Sequence, residues 1–299
     1  MTQERIPSGI AGLDRLTEGG LLKNTTNTVF GGTGTGKTTF AIQFALAGLY
    51  NGDHVLYITF EQSPDKLLRQ AELIGFPELR TFFEDEKILF HHATGEEMAE
   101  FLTTSLPTTI NELKDVMSIH SRVVLDPITI LLWALGEKNT QRVVLTRAYA
   151  TLQELGTILT VVEEPKGFES GETAADTETA LYLSDSIFHL QFLGLGGLFN
   201  RTLRILKCRG TKHGESVYPF VFTRGNGITI FLPDGEQLPV SEKRDLQFST
   251  IFDDCYRQVE KKPPSTVKEM ILKRIQTMKE QWTFKESPKP ILEDIIKIL

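Results

Sequence analysis

The chain has 299 residues, 32 of them basic and 39 acidic, which gives a formal net charge of −7. That length can bury one large α/β core with an appendage, or two modest domains. The acidic balance excludes a strong general field for attracting nucleic acid or anionic lipid, although a local basic patch stays open.

Cysteine usage and hydropathy indicate the compartment. Cys208 and Cys255 have no metal-like spacing, and a lone disulfide in so large a domain would be unusual, so we expect a reducing cytosol. The N-terminus has no basic-then-apolar signal pattern, and no apolar run approaches the roughly 20 residues that span a bilayer. We therefore expect a cytoplasmic protein without membrane insertion.

Strand-like and helix-like segments alternate over the first half of the chain. This alternation is typical of a parallel sheet covered by helices on both faces. In chain order the segments are the helix TTFAIQFALAGL after a glycine-rich loop, the strand VLYITF, a helix from Ser63 and Pro64 to Gly75, the strands KILFHH and RVVLD, the helix TQRVVLTRAYATLQEL up to Gly156, and the strand TILTVV.

From Ser186 onward the sequence no longer alternates between helix-like and strand-like segments. Four short strand-like runs, SIFHL, TLRILK, YPFVF and GITIF, are joined by glycine-rich turns, which predicts an antiparallel edge on the sheet. We expect residues 1–244 to form the main α/β domain.

Residues 245–299 are expected to form a C-terminal helical extension. Pro263 and Pro264 would end any preceding helix or strand, and Thr266 with Glu269 forms a capping-box pattern. Six apolar residues then fall on one helical face: Val267, Met270, Ile271, Ile275, Met278 and Trp282. The extension is either a lid packed on the core or a helix that binds a partner or forms an oligomer.

The stretch GGTGTGKTTF, residues 31–40, has the spacing G-x-x-x-x-G-K-T between a strand and a helix. Such a loop wraps its backbone N–H groups around a phosphate, and the helix N-terminus adds roughly half a positive charge. Lys37 would reach the β- and γ-phosphates, and the Thr38 hydroxyl would ligate Mg²⁺. The alternative is a chance glycine turn before a helix. The predicted nucleotide-binding residues of the loop are Gly32, Thr33, Gly34, Thr35, Gly36, Lys37, Thr38 and Thr39.

Two acids end predicted strands. Asp126 ends RVVLD, where a parallel strand delivers a carboxylate to the nucleotide end of the sheet, and it would hold Mg²⁺ through a water. It could also cap a following helix, with Pro127 at the first helical position. Glu61 follows VLYITF and could orient or deprotonate the attacking water; its alternative is a solvated acid at a strand end.

Lys207 and Arg209 are the candidates for neutralising charge on the transferred phosphoryl group. They are two residues apart, so in an extended chain their side chains point to one face. They lie far along the sequence from the loop, a location that suits a neighbouring subunit's nucleotide better than their own. On spacing alone, an exposed basic strand end is the favoured interpretation.

Residues 6–244 resemble the ATPase domains of the KaiC family within the RecA superfamily. The motifs that carry the resemblance are IPSGIAGLDRLTEGGL, YITFEQSPDKLLRQAELIG, VVLD and RTLRILKCRGTKHGESVYPFVFTRGNGITIF. It implies a RecA-like P-loop fold with a mostly parallel sheet, ATP and Mg²⁺ bound between adjacent subunits, and a homo-oligomer that is usually a six-membered ring.

The resemblance also implies roles for single residues. Lys207 and Arg209 match the pair that reaches the neighbour's γ-phosphate, and Glu61 matches the first of two consecutive catalytic glutamates. His213 falls on a histidine of the same segment and is a further candidate for nucleotide contact. Gln62 stands where the second glutamate is usual, so slow hydrolysis is expected.

Other positions depart from the family's pattern. Pro127 replaces a small hydroxyl residue after the metal-binding acid. Family members that phosphorylate themselves carry a Ser-Thr pair before a T-D-T-I run, and this chain has Leu181 and Tyr182 there, so Ser/Thr autokinase activity is not expected. We expect one ATPase domain where the family's clock protein has two, and therefore a single ring.

Three functions stay open. The first is a regulatory ATPase whose nucleotide state switches an unknown protein partner, and the second is a recombinase-type DNA-binding ATPase. A non-hydrolysing ATP-dependent switch, of the archaellum-regulator type, is the third. DNA binding is disfavoured because the loop expected to face DNA is acidic. Against Lys166 alone it contains Glu163, Glu164, Glu169, Glu172, Asp176 and Glu178.

Overall fold

The computed structural model of the chain describes residues 4–93, 95–116, 121–164, 178–194 and 200–232, with 252, 255–262, 268, 272, 275, 276 and 279. The chain divides into two compact units, Met1–Ile230 and Phe231–Leu299. The expected domain boundary after residue 244 lies outside the described residues. So do residues 165–177 of the acidic loop and the capping-box pair, Thr266 and Glu269. In the second unit, residues 255–260 are helical.

Strands make up most of the buried framework of the first unit. They are β1 (Arg5–Ile6), β2 (Leu21–Leu22), β3 (Thr26–Gly31), β4 (Val55–Thr59), β5 (Ile88–His92), β6 (Ser121–Asp126), β7 (Gly156–Glu163), β8 (Ser186–Phe192), β9 (Arg201–Cys208), β10 (Val217–Thr223) and β11 (Gly227–Ile230).

Helices connect and cover these strands. They are α1 (Leu13–Leu16), α2 (Lys37–Tyr50), α3 (Pro64–Ile74), α4 (Glu78–Glu84), α5 (Gly95–Glu100), α6 (Leu106–Val116), α7 (Thr129–Leu135), α8 (Lys138–Leu152) and α9 (Glu178–Leu183). A π-helical turn, Phe101–Ser105, joins α5 to α6.

Nine strands form one sheet in the order β11-β10-β9-β8-β3-β7-β6-β4-β5, while β1 and β2 pair separately. The neighbours from β8 to β5 run parallel, and β9, β10 and β11 continue the sheet antiparallel. Every residue of β3, β4 and β6 is buried, as expected of parallel strands with both faces covered.

The predicted α/β class, the four parallel strands and the antiparallel edge are confirmed. The expectation for SIFHL was wrong in one respect, because this strand, β8, runs parallel to β3 and the antiparallel edge begins only at β9. The reason is topological: α9 lies between β7 and β8 in the chain, and a crossover that contains a helix returns a strand in the parallel direction.

Arg122 is a charged side chain at the centre of the fold. It is fully buried in β6, where Nη1 donates to the carbonyl oxygens of Pro7 (2.8 Å) and Phe44 (2.9 Å) and Nε lies 3.2 Å from Asp53 Oδ2. Gly48 of α2 makes room for it, since a Cβ there would lie 2.4 Å from Arg122 Nε. The Arg122 guanidinium group therefore connects α2 and β6 with the segment around Pro7.

Helix α2 packs on the sheet and is hydrogen-bonded to the β10–β11 hairpin at its edge. Gln43 Nε2 donates to the carbonyl oxygens of Asn226 (2.8 Å) and Gly9 (3.2 Å), and Gln43 Oε1 accepts from the Ile228 amide at 2.7 Å. The sheet edge thus curls over the helix that follows the glycine-rich loop. This packing places the hairpin beside the loop.

Replacing Gln43 with Ala should lower the free energy of unfolding by about 2 kcal/mol, because it leaves the buried Ile228 N–H without an acceptor. Urea unfolding measures this change. Gln153→Ala is the matched control, since Gln153 donates one bond, to Thr26 Oγ1, from a half-buried position. Equal losses in the two variants would contradict the role given to Gln43.

Candidate functional site

The glycine-rich loop connects β3 to α2, as the sequence predicts. Gly34 and Gly36 adopt left-handed backbone conformations, with φ of +76° and +108°. A Cβ on Gly36 would lie 2.3 Å from Cζ of Phe222, so the glycine is also needed for close packing of the hairpin. Among the residues that the structure describes, no side chain forms a capping hydrogen bond at the start of α2. The helix N-terminus is therefore open to a ligand.

Lys37 is buried at the base of the loop, with only 6% of its surface exposed. Its Nζ donates to the Gly32 carbonyl oxygen at 2.8 Å and forms an ion pair with Glu163 Oε1 at 3.0 Å. Glu163 is the last residue of β7 and pairs with Gly31 of β3 in the parallel ladder. The lysine predicted to reach phosphate thus has a carboxylate partner, Glu163, which the sequence alone places only in an acidic loop.

The structure brings Thr38 and Asp126 together. Asp126 ends β6, is 4% exposed, and accepts hydrogen bonds from the Tyr57 hydroxyl (2.6 Å) and from the Thr38 side chain. Burial raises the pKa of Asp126 to about 6, an effect that the two hydrogen bonds and Lys37 oppose and that Glu163 increases. A hydroxyl beside a buried carboxylate is a donor set that suits a hard cation.

The alternative role for Asp126, as a helix cap, was wrong. Helix α7 begins at Thr129 and its N-cap is Ile128, and no side chain in the described part of the chain forms a hydrogen bond that caps it. Pro127 precedes the helix and does not occupy its first position. The chain turns between strand and helix, which leaves the Asp126 carboxylate to face Tyr57 and Thr38.

Glu61 lies two residues after the end of β4, the strand that bears Tyr57, and its side chain is exposed. The backbone of Gln62 is fixed by Thr59, whose Oγ1 donates to the Gln62 carbonyl (2.8 Å) and accepts from its amide (3.3 Å). Strand β4 pairs with β6, with Thr59 opposite Asp126, so Glu61 follows a strand end that adjoins the Asp126 carboxylate.

Lys207 and Arg209 lie at the end of the sheet opposite the loop. Gly31 of β3 pairs with Leu190 of β8, and Leu190 pairs with Leu203 of β9. Because β9 is antiparallel to β8, the residues after Leu203 lie progressively farther from the loop. Lys207 is four residues beyond Leu203, roughly 13 Å along the strand at about 3.3 Å per residue. These two basic residues are therefore not brought to the loop of their own chain.

Local contacts hold both groups at that end. Lys207 Nζ donates to the carbonyl oxygens of Ser184 (2.5 Å) and Tyr182 (3.3 Å). Burial, then the nearby Arg209, lower the pKa of Lys207, while Asp185 opposes the shift. Arg209 is 60% exposed at its side chain and pairs with Asp185 at 3.4 Å.

His213 lies in the connection between β9 and β10, at the same end of the sheet as Lys207. Its Nδ1 is 3.1 Å from the Gly214 carbonyl oxygen. It is likewise not placed at the loop of its own chain.

Arg201 is a residue at the loop that sequence reasoning missed. It begins β9, and its Nη1 donates to the Gly34 carbonyl oxygen at 2.7 Å. Its guanidinium lies 4.8 Å from the ring centroids of both Phe192 and Phe222. The signal is hard to find in a sequence, because Arg201 and Gly34 are 167 positions apart.

A cavity of about 570 Å³ opens beside the loop. Its size lies within the range of small-molecule sites, and its walls combine loop backbone, a lysine and apolar side chains. The lining residues are Gly34, Gly36, Lys37, Thr38, Thr39, Gln70, Leu73, Ile74, Glu163, Phe222, Thr223, Arg224 and Gly227. The cavity can accept a ligand that has an anionic end at the loop and a less polar body against α3 and the hairpin.

Asp126→Asn should stabilise the protein free of nucleotide and metal. The pKa of Asp126 in the folded protein, about 6, lies above the ordinary value of 3.8, so the wild-type protein loses stability as the pH rises from about 4 to about 6. Asn avoids this loss and still accepts from Tyr57. We expect a gain in the free energy of unfolding of ~3 kcal/mol at pH 8 and about half as much at pH 5. Urea unfolding at both pH values measures the change in the free energy of unfolding. A variant less stable than wild type at pH 8 would contradict a raised pKa of Asp126.

Among the residues that the structure describes, no helix has both the length and the apolar character needed to cross a bilayer.

Comparisons with known proteins identify the family of this chain. The family model described as "ATPase: KaiC" matches residues 6–235. Over 235 residues the chain is 32% identical to the circadian clock oscillator protein KaiC of Acaryochloris marina, and over 236 residues it is 29% identical to the circadian clock protein KaiC2 of Synechocystis. Both matches cover 76% of this chain but only 44% and 40% of those proteins, so the chain spans less than half the length of these relatives.

The fold has a solved counterpart as well. The crystal structure of a KaiC-like protein from the hyperthermophilic archaeon Pyrococcus horikoshii matches with a TM-score of 0.63 at 26% identity, covering 77% of this chain and all of that one. The RecA-like P-loop fold and the resemblance predicted from the sequence are confirmed. The chain belongs to the KaiC family of ATPases.

Proposed function

We propose that this chain binds ATP and Mg²⁺ between two copies of itself and hydrolyses the ATP slowly, and that its nucleotide state switches a protein partner. The observation that carries the proposal is the separation of Lys207 and Arg209 from the loop of their own chain. Residues that the family uses at a phosphate, and that cannot reach their own, can serve a neighbouring copy. A homo-oligomer, expected to be a six-membered ring in the cytoplasm, provides such neighbours.

The residues around the loop fit a nucleoside triphosphate. Backbone N–H groups of the loop and the open N-terminus of α2 favour phosphates, and the cavity beside them can take the nucleoside. Thr38 and Asp126 would hold Mg²⁺, directly and through water. When bound, Mg²⁺ supplies charge neutralisation between the phosphate oxygens. Lys37 would exchange its present partners for phosphate oxygens.

Hydrolysis then depends on positioning and charge stabilisation. Glu61 would orient the attacking water and accept its proton. The transferred phosphoryl group carries negative charge on its outer oxygens, which Lys37 of one copy and Lys207 and Arg209 of the next would stabilise. In the present structure Lys207 is engaged with Ser184 and Tyr182, so forming the active interface requires it to exchange these partners.

Gln62 supports slow turnover and keeps a non-hydrolysing switch as the second candidate. Its amide cannot accept a proton as a carboxylate does, so the water would rely on Glu61 alone. The backbone of Gln62 is fixed by Thr59, so residue 62 is held at the strand end that leads to the site. Less than one phosphate released per chain during prolonged incubation with ATP and Mg²⁺, with ATP still bound, would favour the switch.

Mixed oligomers test the contribution across subunits. Lys37→Ala and Arg209→Ala should each reduce phosphate release by at least about 100-fold, because each removes a charge at the transferred phosphoryl group. In an equal mixture, about a quarter of the interfaces would combine an intact loop with an intact Arg209, and activity should recover accordingly.

The control for this experiment is Lys212→Ala, an exposed basic residue of the same segment, which should keep wild-type activity. The proposal fails if the mixture, after subunit exchange is verified by mass, is no more active than its parents.

Glu61→Gln separates binding from turnover. The variant should bind ATP with unchanged affinity and release phosphate about 100-fold more slowly, because the amide cannot accept a proton from water. Equilibrium binding and phosphate release measure the two properties. Unchanged turnover would remove Glu61 from the catalytic role.

A further inference from the structure

We propose that Glu163 competes with the phosphates of a nucleotide for Lys37 and thereby makes nucleotide affinity depend on a divalent cation. The inference rests on the proposed binding of nucleotide at the loop and goes beyond it, by assigning a positioning and regulatory role to a residue outside the loop.

The geometry gives Lys37 two partners, one neutral and one charged. The Gly32 carbonyl oxygen, at 2.8 Å, is part of the loop, whereas Glu163 Oε1, at 3.0 Å, belongs to a different strand. Within the described part of the chain, no other carboxylate forms an ion pair with Lys37. A lysine this buried requires a counter-charge. Glu163 therefore holds the ammonium where phosphate would otherwise bind it.

The backbone of Glu163 is held on both sides. Its amide donates to Thr129 Oγ1 at 2.8 Å, and the next amide, of Glu164, donates to the Gly31 carbonyl oxygen at 3.0 Å. These two hydrogen bonds anchor the strand end, whereas the carboxylate, about one third exposed, can turn towards the cavity that it lines.

Ligand binding changes the charge balance at this point. When Lys37 turns to the phosphates, Glu163 loses its partner and faces additional negative charge, with the carboxylate of Asp126 nearby as well. Like charges brought together in a partly desolvated site repel strongly. A nucleotide without metal meets this repulsion in full, whereas a divalent cation offsets it.

The test is the binding of ADP, which is not hydrolysed, to nucleotide-free protein by calorimetry, with Mg²⁺ and with excess EDTA. Glu163→Gln keeps the size of the side chain and removes its charge. It should bind ADP about tenfold more tightly than wild type in EDTA and change by less than about threefold in Mg²⁺. The dissociation constant in EDTA divided by that in Mg²⁺ should therefore be smaller for Glu163→Gln than for wild type. A merely structural role of Glu163 would not change this ratio.

Two variants serve as references. Glu178→Gln removes an ion pair of the same 3.0 Å length, to Lys138, on an exposed surface, and should keep the wild-type ratio. Glu163→Asp keeps the charge and should keep most of the metal dependence, whereas Glu163→Ala removes the charge and carries the test if Glu163→Gln does not fold. A Glu163→Asp ratio as low as that expected for Gln would overturn the inference.

The outcomes also separate this inference from the proposed function. An unchanged ratio in Glu163→Gln, with wild type binding ADP, would overturn only the role of Glu163. Wild-type protein that binds no ADP in Mg²⁺ would overturn nucleotide binding itself, and the inference with it.

Discussion

The site depends on one electrostatic constraint: an ammonium group buried beneath a glycine-rich loop must be neutralised. Lys37 meets this requirement with a backbone carbonyl of the loop and with Glu163, and both are delivered by strand ends. Strands β3, β7 and β6 are neighbours in the parallel sheet and end at the same edge. The loop, the counter-ion and the acid Asp126 are therefore positioned by backbone ladders, before any ligand is present.

Local patterns explain how much could be predicted. The strands around VLYITF, KILFHH, RVVLD and TILTVV and the helix from Ser63 to Gly75 were found because apolar runs and terminal residues mark them. The loop and the placement of Asp126 at a strand end could be predicted for the same reason. The direction of β8 could not, because it depends on a crossover and not on composition.

Residues whose roles come from distant pairing could not be found. Glu163 lies opposite Gly31 only through the register of β3 and β7, and the sequence placed it merely among acids expected to repel DNA. Arg122 lies inside an apolar strand. It can be fully buried because Asp53 and two carbonyl oxygens accept hydrogen bonds from its guanidinium group. Arg201 contacts the loop through the antiparallel edge. No spacing rule predicts such contacts.

The packing of Phe222 against Gly36 links the loop to the edge of the sheet. Phe222 belongs to β10, which pairs with β9, the strand that carries Lys207 near its far end. A displacement of the loop would press on the Phe222 side chain and so on β10, which is hydrogen-bonded to β9. In the oligomer proposed above, the strand that presents Lys207 to a neighbour would therefore move together with the strand that packs on the subunit's own loop.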